Sequence, residues 1–244
     1  MKIRSWMLGL SVATLLVSMP AAFAATSLQV APVNIEVPAP GAASKVTLSN
    51  SGDELVNAQV RIFKWVQIDG KDELVPTREV VASPPAVKLQ PGKKSVIRIV
   101  RLSKSPAVVE ETYRLVVDEV PKPPKVGQAG VGFAVRYSIP VFFSKPGADS
   151  DVSWTASVAG GKLVVRAENT GGRRVRVAAL KVTNAAGKTI TIAEGLAGYV
   201  LGQSSRFWIV GGKAKSIATG GTIKITAQGD NGPIEVTANV AAAN

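Results

Sequence analysis

The sequence predicts an all-β chain, two β-sandwich domains in tandem behind a cleaved export signal. Three observations carry that expectation: an apolar period of two recurring from Leu28 to Val240, turn chemistry between the apolar runs, and no long amphipathic stretch of helical period. The 46% hydrophobic and 19% charged composition is that of a chain with a core, and 244 residues suit one large domain or two modest ones.

The export signal comes first. Lys2 and Arg4 give a positive start, Trp6 to Met19 an apolar stretch, and Ala22-Phe23-Ala24 a small-x-small cleavage site, so residues 1–24 are read as a signal peptide cut after Ala24. No later stretch offers ~20 consecutive apolar residues, and no membrane insertion is expected. Removing Lys2 and Arg4 from the formal charge of +12 leaves +10, so the basic character stays with the mature protein.

The strands follow. Leu28 and Val30, Val33 to Val37, Val46 and Leu48, Val60 and Ile62, Val96 to Val100, Tyr113 to Val117, and Val131 to Ile139 alternate in the manner of half-buried strands. Asn50-Ser51-Gly52-Asp53, Asp69-Gly70, Gln90-Pro91-Gly92 and Pro121-Lys122-Pro123-Pro124 separate them as turns or loops. The Pro/Gly/Ser/Asp-rich stretch from Ser144 to Asp151 reads as a linker, which gives a first domain over 25–145, a linker over 146–151 and a second domain over 152–244. Beyond it the pattern resumes in Lys162 to Ala167, Val175 to Thr183, Thr189 to Ala193, Arg206 to Val210, Thr222 to Thr226 and Ile234 to Val240, with Gly-Gly pairs marking hairpins.

Composition excludes several chemistries. With no Cys and no His there is no disulfide, no Ser-His-Asp triad, no thiol nucleophile and no ordinary zinc, haem or iron–sulfur site, and no cofactor is expected. Glu110-Glu111 and Asp118-Glu119 could in principle serve a paired-carboxylate hydrolase, but the first pair reads as a solvated loop and the second points to opposite strand faces, so an enzyme is not expected. Lys and Arg lie singly along strands and aromatics are only 5% of residues, which suits a solvated surface or an acidic protein partner and argues against nucleic acid. The densest basic run, Arg173-Arg174-Val175-Arg176, reads as a turn and exposed strand.

Several motifs together resemble a known family. Ser83-Pro84-Pro85, Leu89-x-Pro91-Gly92 with Val96 to Ile99, Tyr113 to Pro121, and Ile139-Pro140-Val141-Phe142 look like the first domain of the periplasmic chaperones of the chaperone–usher pathway. Gly198 to Trp208 and Gly229-Asp230-Asn231-Gly232 resemble the second domain in the family's archaic or alternate branch. The resemblance implies immunoglobulin-like sandwiches, a periplasmic location, and a role in protein folding and pilus assembly. The implied mechanism is the loan of a strand to a pilus or fimbrial subunit that lacks one, followed by delivery to an outer-membrane usher.

On this resemblance the donor strand carries Val131, Phe133, Val135, Tyr137 and Ile139 on one face. From periodicity alone the same residues could be the sandwich's own core. A self-capping dimer of the free protein would hide Val131 to Val135 between clients. The family also anchors the subunit's terminal carboxylate with two basic residues. The matching positions here are Pro32 and Pro140, which offer no side-chain donor. Arg114, set in the apolar run Tyr113 to Val117, is the leading replacement, Arg136 and Lys145 are seconds, and an outward edge charge is the plain alternative for Arg114. Glu119, Lys145 and Asp230 match an interdomain charge cluster of the family. The reading from a different class is an exported two-domain β-sandwich with a structural or surface-adhesion role.

Overall fold

The computed structural model describes residues 27–105, 107–121, 134–211 and 220–242, and the described residues contain strands and no helix. The first sandwich has two sheets. One runs in the order β1 (Leu28–Ala31), β3 (Ala43–Asn50), β8 (Lys94–Arg101), β6 (Val80–Ser83). The other runs β2 (Ile35–Pro38), β10 (Arg136–Ser144), β9 (Glu111–Glu119), β4 (Val56–Ile68), β5 (Lys71–Pro76), with β7 (Ala86–Leu89) also on β4.

Alternation explains the core. Leu28, Val46, Leu48, Ile97 and Ile99 from one sheet face Val60, Leu115, Val117, Ile139 and Val141 from the other, all buried in one cluster. Tyr137 packs against this cluster and donates its hydroxyl to the Leu28 carbonyl at 2.6 Å. Tyr137 and Ile139, expected on a face offered to a partner, therefore serve the sandwich's own core.

The second sandwich follows the path β14 (Thr189–Thr191), β13 (Val175–Asn184), β17 (Thr222–Gly229), β18 (Gly232–Ala242), β11 (Val152–Ala159), β12 (Lys162–Asn169), β16 (Ser204–Val210), with β15 (Leu196–Val200) on β13. Strand β18 pairs antiparallel with β17 and parallel with β11, and so joins two sheets. Leu163, Val165, Val177, Leu180, Val182 and Ile225 form its centre, beside a stacked Trp154–Trp208 pair with ring centroids 5.7 Å apart.

One corner recurs in both sandwiches although no repeat is evident in the sequence pattern. Asn50 is buried and bridges the carbonyls of Glu54 and Leu89 while accepting the Gly52 amide. Asn169 does the same with the carbonyls of Arg173 and Val200 and the Gly171 amide. In each case a side-chain amide satisfies backbone groups that a buried turn would otherwise strand.

Candidate functional site

Two arginine-centred clusters join the sandwiches. In the first, Arg174 enters the junction from the second sandwich just before β13 and is only 4% exposed. Its Nη1 donates to Glu110 Oε1 at 2.5 Å, its Nη2 to Glu36 on β2, and its backbone amide to Glu110 Oε2 at 3.1 Å. The guanidinium lies 3.5 Å from the Phe142 ring centroid. Burial pushes the Glu110 carboxyl up, against the pull of Arg174. The run Arg173 to Arg176 and the pair Glu110-Glu111 are thus partly interior: Arg174 and Glu110 hold each other in the junction, and Glu111 pairs with Arg101 at 2.6 Å.

The second cluster is built on the longest strand. β4 and β5 form a hairpin through Asp69-Gly70, whose positive φ angles of 49° and 70° suit a tight primed turn. The hairpin reaches the second sandwich, where a methyl at Gly70 would come within 2.0 Å of Phe207 Cδ1, so only glycine fits. Gln67 donates to the Tyr199 carbonyl at 2.8 Å and accepts the Leu201 amide at 3.0 Å. Asp72 accepts from Arg206 Nη1 at 2.5 Å and from Gln67 at 2.8 Å. Burial would raise the Asp72 pKa, but these donors hold it below the ordinary carboxylate value. Beneath them Trp65, Phe142, Tyr199 and Leu201 form a small apolar core shared by both sandwiches.

Arg114 lies on this core. Its guanidinium is 3.7 Å from the Trp65 ring centroid and 6.0 Å from that of Tyr199, and Nη1 donates to the Ser138 carbonyl at 3.3 Å. Among the described residues no carboxylate pairs with it. Loss of water pushes its pKa down, which Asp72 and Tyr199 oppose and Arg206 reinforces. The residue is half-buried and still open to a partner. In the β9–β10 register Arg114 stands directly opposite Pro140.

The same register exposes a strand edge. β2 covers β10 only from Val141 to Ser144, so among the described residues no strand pairs with Arg136–Pro140 on the side away from β9. Val131 and Phe133 lie outside the described residues. Val135 is half-buried, and its amide makes a 3.4 Å contact with Glu119 Oε2.

The other site residues fall elsewhere. Arg136 is exposed and committed to Asp118, which also takes Arg61 at 2.5 Å. Glu119, Lys145 and Asp230 do not form a cluster among the described residues: no bond joins any two of them, Lys145 is exposed, and Asp230 sits 3.8 Å from Arg176. The charges that do meet between the sandwiches are Arg174 and Arg173 with Glu110 and Glu36, from positions 64 to 138 residues apart, and Asp72 with Arg206. Sequence reasoning missed the Arg174 group because Arg173, Arg174 and Glu110 sit among other charges and Glu36 holds an outward strand position, and for both a solvated surface is the ordinary outcome.

Two β-sandwiches thus share a small apolar core, and in the first of them an unpaired strand edge runs to the position opposite Arg114. Residues 27–148 match the family of pili and flagellar-assembly chaperones, PapD N-terminal domain, and the chain belongs to that family. Solved structures agree in fold. A chain of the CsuC–CsuE chaperone–tip adhesion subunit pre-assembly complex, from archaic chaperone–usher Csu pili of Acinetobacter baumannii, is 24% identical with a TM-score of 0.67, over 90% of this chain and 100% of that one. A chain of the Salmonella enterica SafA pilin–SafB chaperone complex is 20% identical with a TM-score of 0.59, over 88% and 98%. The YadV chaperone is 17% identical with a TM-score of 0.60, over 87% and 98%. No curated protein matches the sequence. The family is one of assembly chaperones, a class without catalysis.

Proposed function

We propose that this protein is a periplasmic chaperone that captures pilus or fimbrial subunits by lending them the strand that enters β10, and passes them to an outer-membrane usher. The observation that carries the reading is the unpaired edge Arg136–Pro140 ending opposite Arg114. A subunit strand added to that edge gains a ladder of main-chain hydrogen bonds, and its terminal carboxylate meets a guanidinium that has no carboxylate of its own. Side chains from the segment before β10, Val131, Phe133 and Val135, would fill the subunit's groove and keep its apolar surface from water.

Similar proteins support the partner: the Csu and Saf structures are complexes of a chaperone with a tip adhesion subunit or a pilin. A domain boundary near the Ser144 to Asp151 stretch and export by the signal at residues 1–24 belong to the same reading. Between clients a self-capping dimer would shield the same strand.

Purification from the periplasm of the source cell, with mass spectrometry of whatever co-elutes, tests it. A stoichiometric small exported polypeptide, lost in Phe133→Asp while the variant stays folded, is expected. Undiminished capture by folded Phe133→Asp would remove the donor assignment, and a partnerless protein from fibre-producing cells would remove the chaperone reading.

A further inference from the structure

The two sheets of the first sandwich differ in charge. The strands of the sheet that holds the donor edge, β2, β4, β5, β7, β9 and β10, carry as many acidic as basic residues. The opposite sheet, β1, β3, β8 and β6, carries Lys45, Lys94, Arg98 and Arg101 and no carboxylate. Arg101 reaches across the sandwich to Glu111. The other three are exposed, and among the described residues no carboxylate pairs with them.

Strand register concentrates the imbalance. Val46, Leu48, Ile97 and Ile99 point into the core, so Lys45 on β3 and Lys94, Val96, Arg98 and Val100 on β8 point outward. Lys45 stands directly opposite Arg98, and like charges so placed, with Cβ atoms ~5 Å apart, destabilise a sheet. The outward side of β8 reads cation, valine, cation, valine at a spacing of ~6.8 Å. Val81 on β6 stands opposite Val100 and widens the apolar row, and both Val81 and Val96 are exposed. A shallow depression between these rows is lined by Ala43, Ser44, Lys45, Val96, Arg98 and Val100.

The same geometry says what fits. β3 and β8 are paired along both edges, so a partner gains side chains only and must stack on the face rather than extend the sheet. No strand of this sheet holds an aromatic residue, the usual anchor in a bilayer interface, which speaks against a lipid surface. Among the described residues no strand of this chain places carboxylates four positions apart, which speaks against a second copy.

We infer that the outward face of β3 and β8 is a docking surface for a separate, acidic protein, which lays on it an extended segment with carboxylate and aliphatic side chains alternating on one side. Its carboxylates meet Lys94 and the Lys45–Arg98 pair and relieve the repulsion within that pair. Its aliphatic side chains cover Val96 and Val100. The face lies across the sandwich from the β10 edge, so this partner and a strand added to β10 do not compete.

The test uses the full mature protein and a backbone-cyclised β-hairpin peptide, one strand of which presents Glu, Val, Glu, Val on one side, with a twin in which both Glu are Gln. Titration calorimetry reads affinity and urea denaturation reads stability. At low salt the Glu hairpin binds at least about tenfold more tightly than its twin. Lys45→Glu gives Arg98 a carboxylate within the chain, so it raises the denaturation midpoint and lowers affinity for the Glu hairpin at least about tenfold. Val96→Thr lowers that affinity about threefold at unchanged net charge. Lys162→Glu, the same charge change at an exposed position of β12 in the second sandwich, alters it by less than about twofold.

Stability raised and binding lowered by one substitution support the docking surface. Should Lys45→Glu fail to fold, Lys45→Gln decides by the same two readings with smaller changes. Equal affinity for the two hairpins, no binding of either, or an equal loss in Lys162→Glu reduces the face to general basicity and overturns the assignment. Binding confined to phosphatidylglycerol vesicles and lost in Lys45→Glu overturns it in favour of an anionic lipid surface. None of these outcomes bears on strand donation at β10, which the Phe133→Asp experiment decides separately.

Discussion

Arg114 and Arg174 make an instructive pair. Both sit where the sandwiches meet, and both lie over an aromatic ring, 3.7 Å from Trp65 in one case and 3.5 Å from Phe142 in the other. Arg174 is buried and holds two carboxylates, Glu110 and Glu36. Arg114 is half-buried and has a carbonyl and two rings, but no paired carboxylate, among the described residues. A cation paired within the chain is architecture, because its charge is already answered. On the proposed function, a cation stacked, partly dried and without a paired carboxylate is the one that meets a charge from outside.

The comparison can be broken most forcefully at Arg174. Arg174→Ala leaves Glu110 buried and unpaired and Glu36 without its strongest partner, which should cost about 3–5 kcal/mol. Chemical denaturation measures the loss, and a cost below about 1 kcal/mol would show the triad to be incidental.

Gly70→Ala comes next. The turn needs positive φ and the methyl would meet Phe207, so the hairpin must lift from the second sandwich at a cost of roughly 1–3 kcal/mol. A loss of stability together with a wider angle between the sandwiches in small-angle scattering is expected. Loss without any change of angle would show that Phe207 simply moves aside.

Acid sharpens the contrast further. The Asp72 pKa is held below its ordinary value, so the Asp72–Arg206 pair contributes fully above the unfolded carboxylate value of about 3.9 and is lost as pH falls through the lower folded one. The hairpin's hold on the second sandwich should therefore stay constant from neutral pH to about 4.5 and weaken only below about 4, whereas the Glu110–Arg174 side of the junction, whose carboxyl burial pushes up, titrates at higher pH. Loss of hydrogen-exchange protection at the Leu201 amide, which Gln67 accepts beside Asp72, between about pH 5 and 7 would assign that hold to other groups.

The smallest effect belongs to Arg136. Its pair with Asp118 is exposed and Asp118 retains Arg61, so Arg136→Ala should move stability by less than about 1 kcal/mol. A large loss of client binding in this variant, with Arg114 intact, would transfer the anchor to Arg136.

The sequence made the long alternating strands legible. β3, β8, β9, β12, β13, β17 and β18 all fall on predicted runs, because one buried face imposes period two on their apolar residues. The strands β5, β6, β7, β11 and β15 were not foreseen. β5, Lys-Asp-Glu-Leu-Val-Pro, is exposed at every position, so no buried face marks it, although the Asp69-Gly70 turn announced that the chain reverses there.

Arg114 could be singled out because a charge inside Tyr113 to Val117 contradicts its apolar neighbours. Its stacking on Trp65 could not, since that contact depends on strand register. Arg174 with Glu110 and Glu36 was illegible for a related reason: the partners lie 64 and 138 residues away, and the charge density around Arg174 and Glu110 pointed to the surface. The trio Glu119, Lys145 and Asp230 shows the converse, that positions matched by motif need not meet when the network has been rebuilt from other residues.

The central claim is that Arg114 is kept for a partner and Arg174 for the fold. The most direct measurement is the affinity of Arg114→Ala for the co-purifying subunit, set beside its denaturation midpoint. The account predicts a midpoint unchanged or slightly raised, because an uncompensated cation is removed, and complex stability lower by about 2–5 kcal/mol. A lowered midpoint with undiminished affinity would make Arg114 a structural residue and contradict the account.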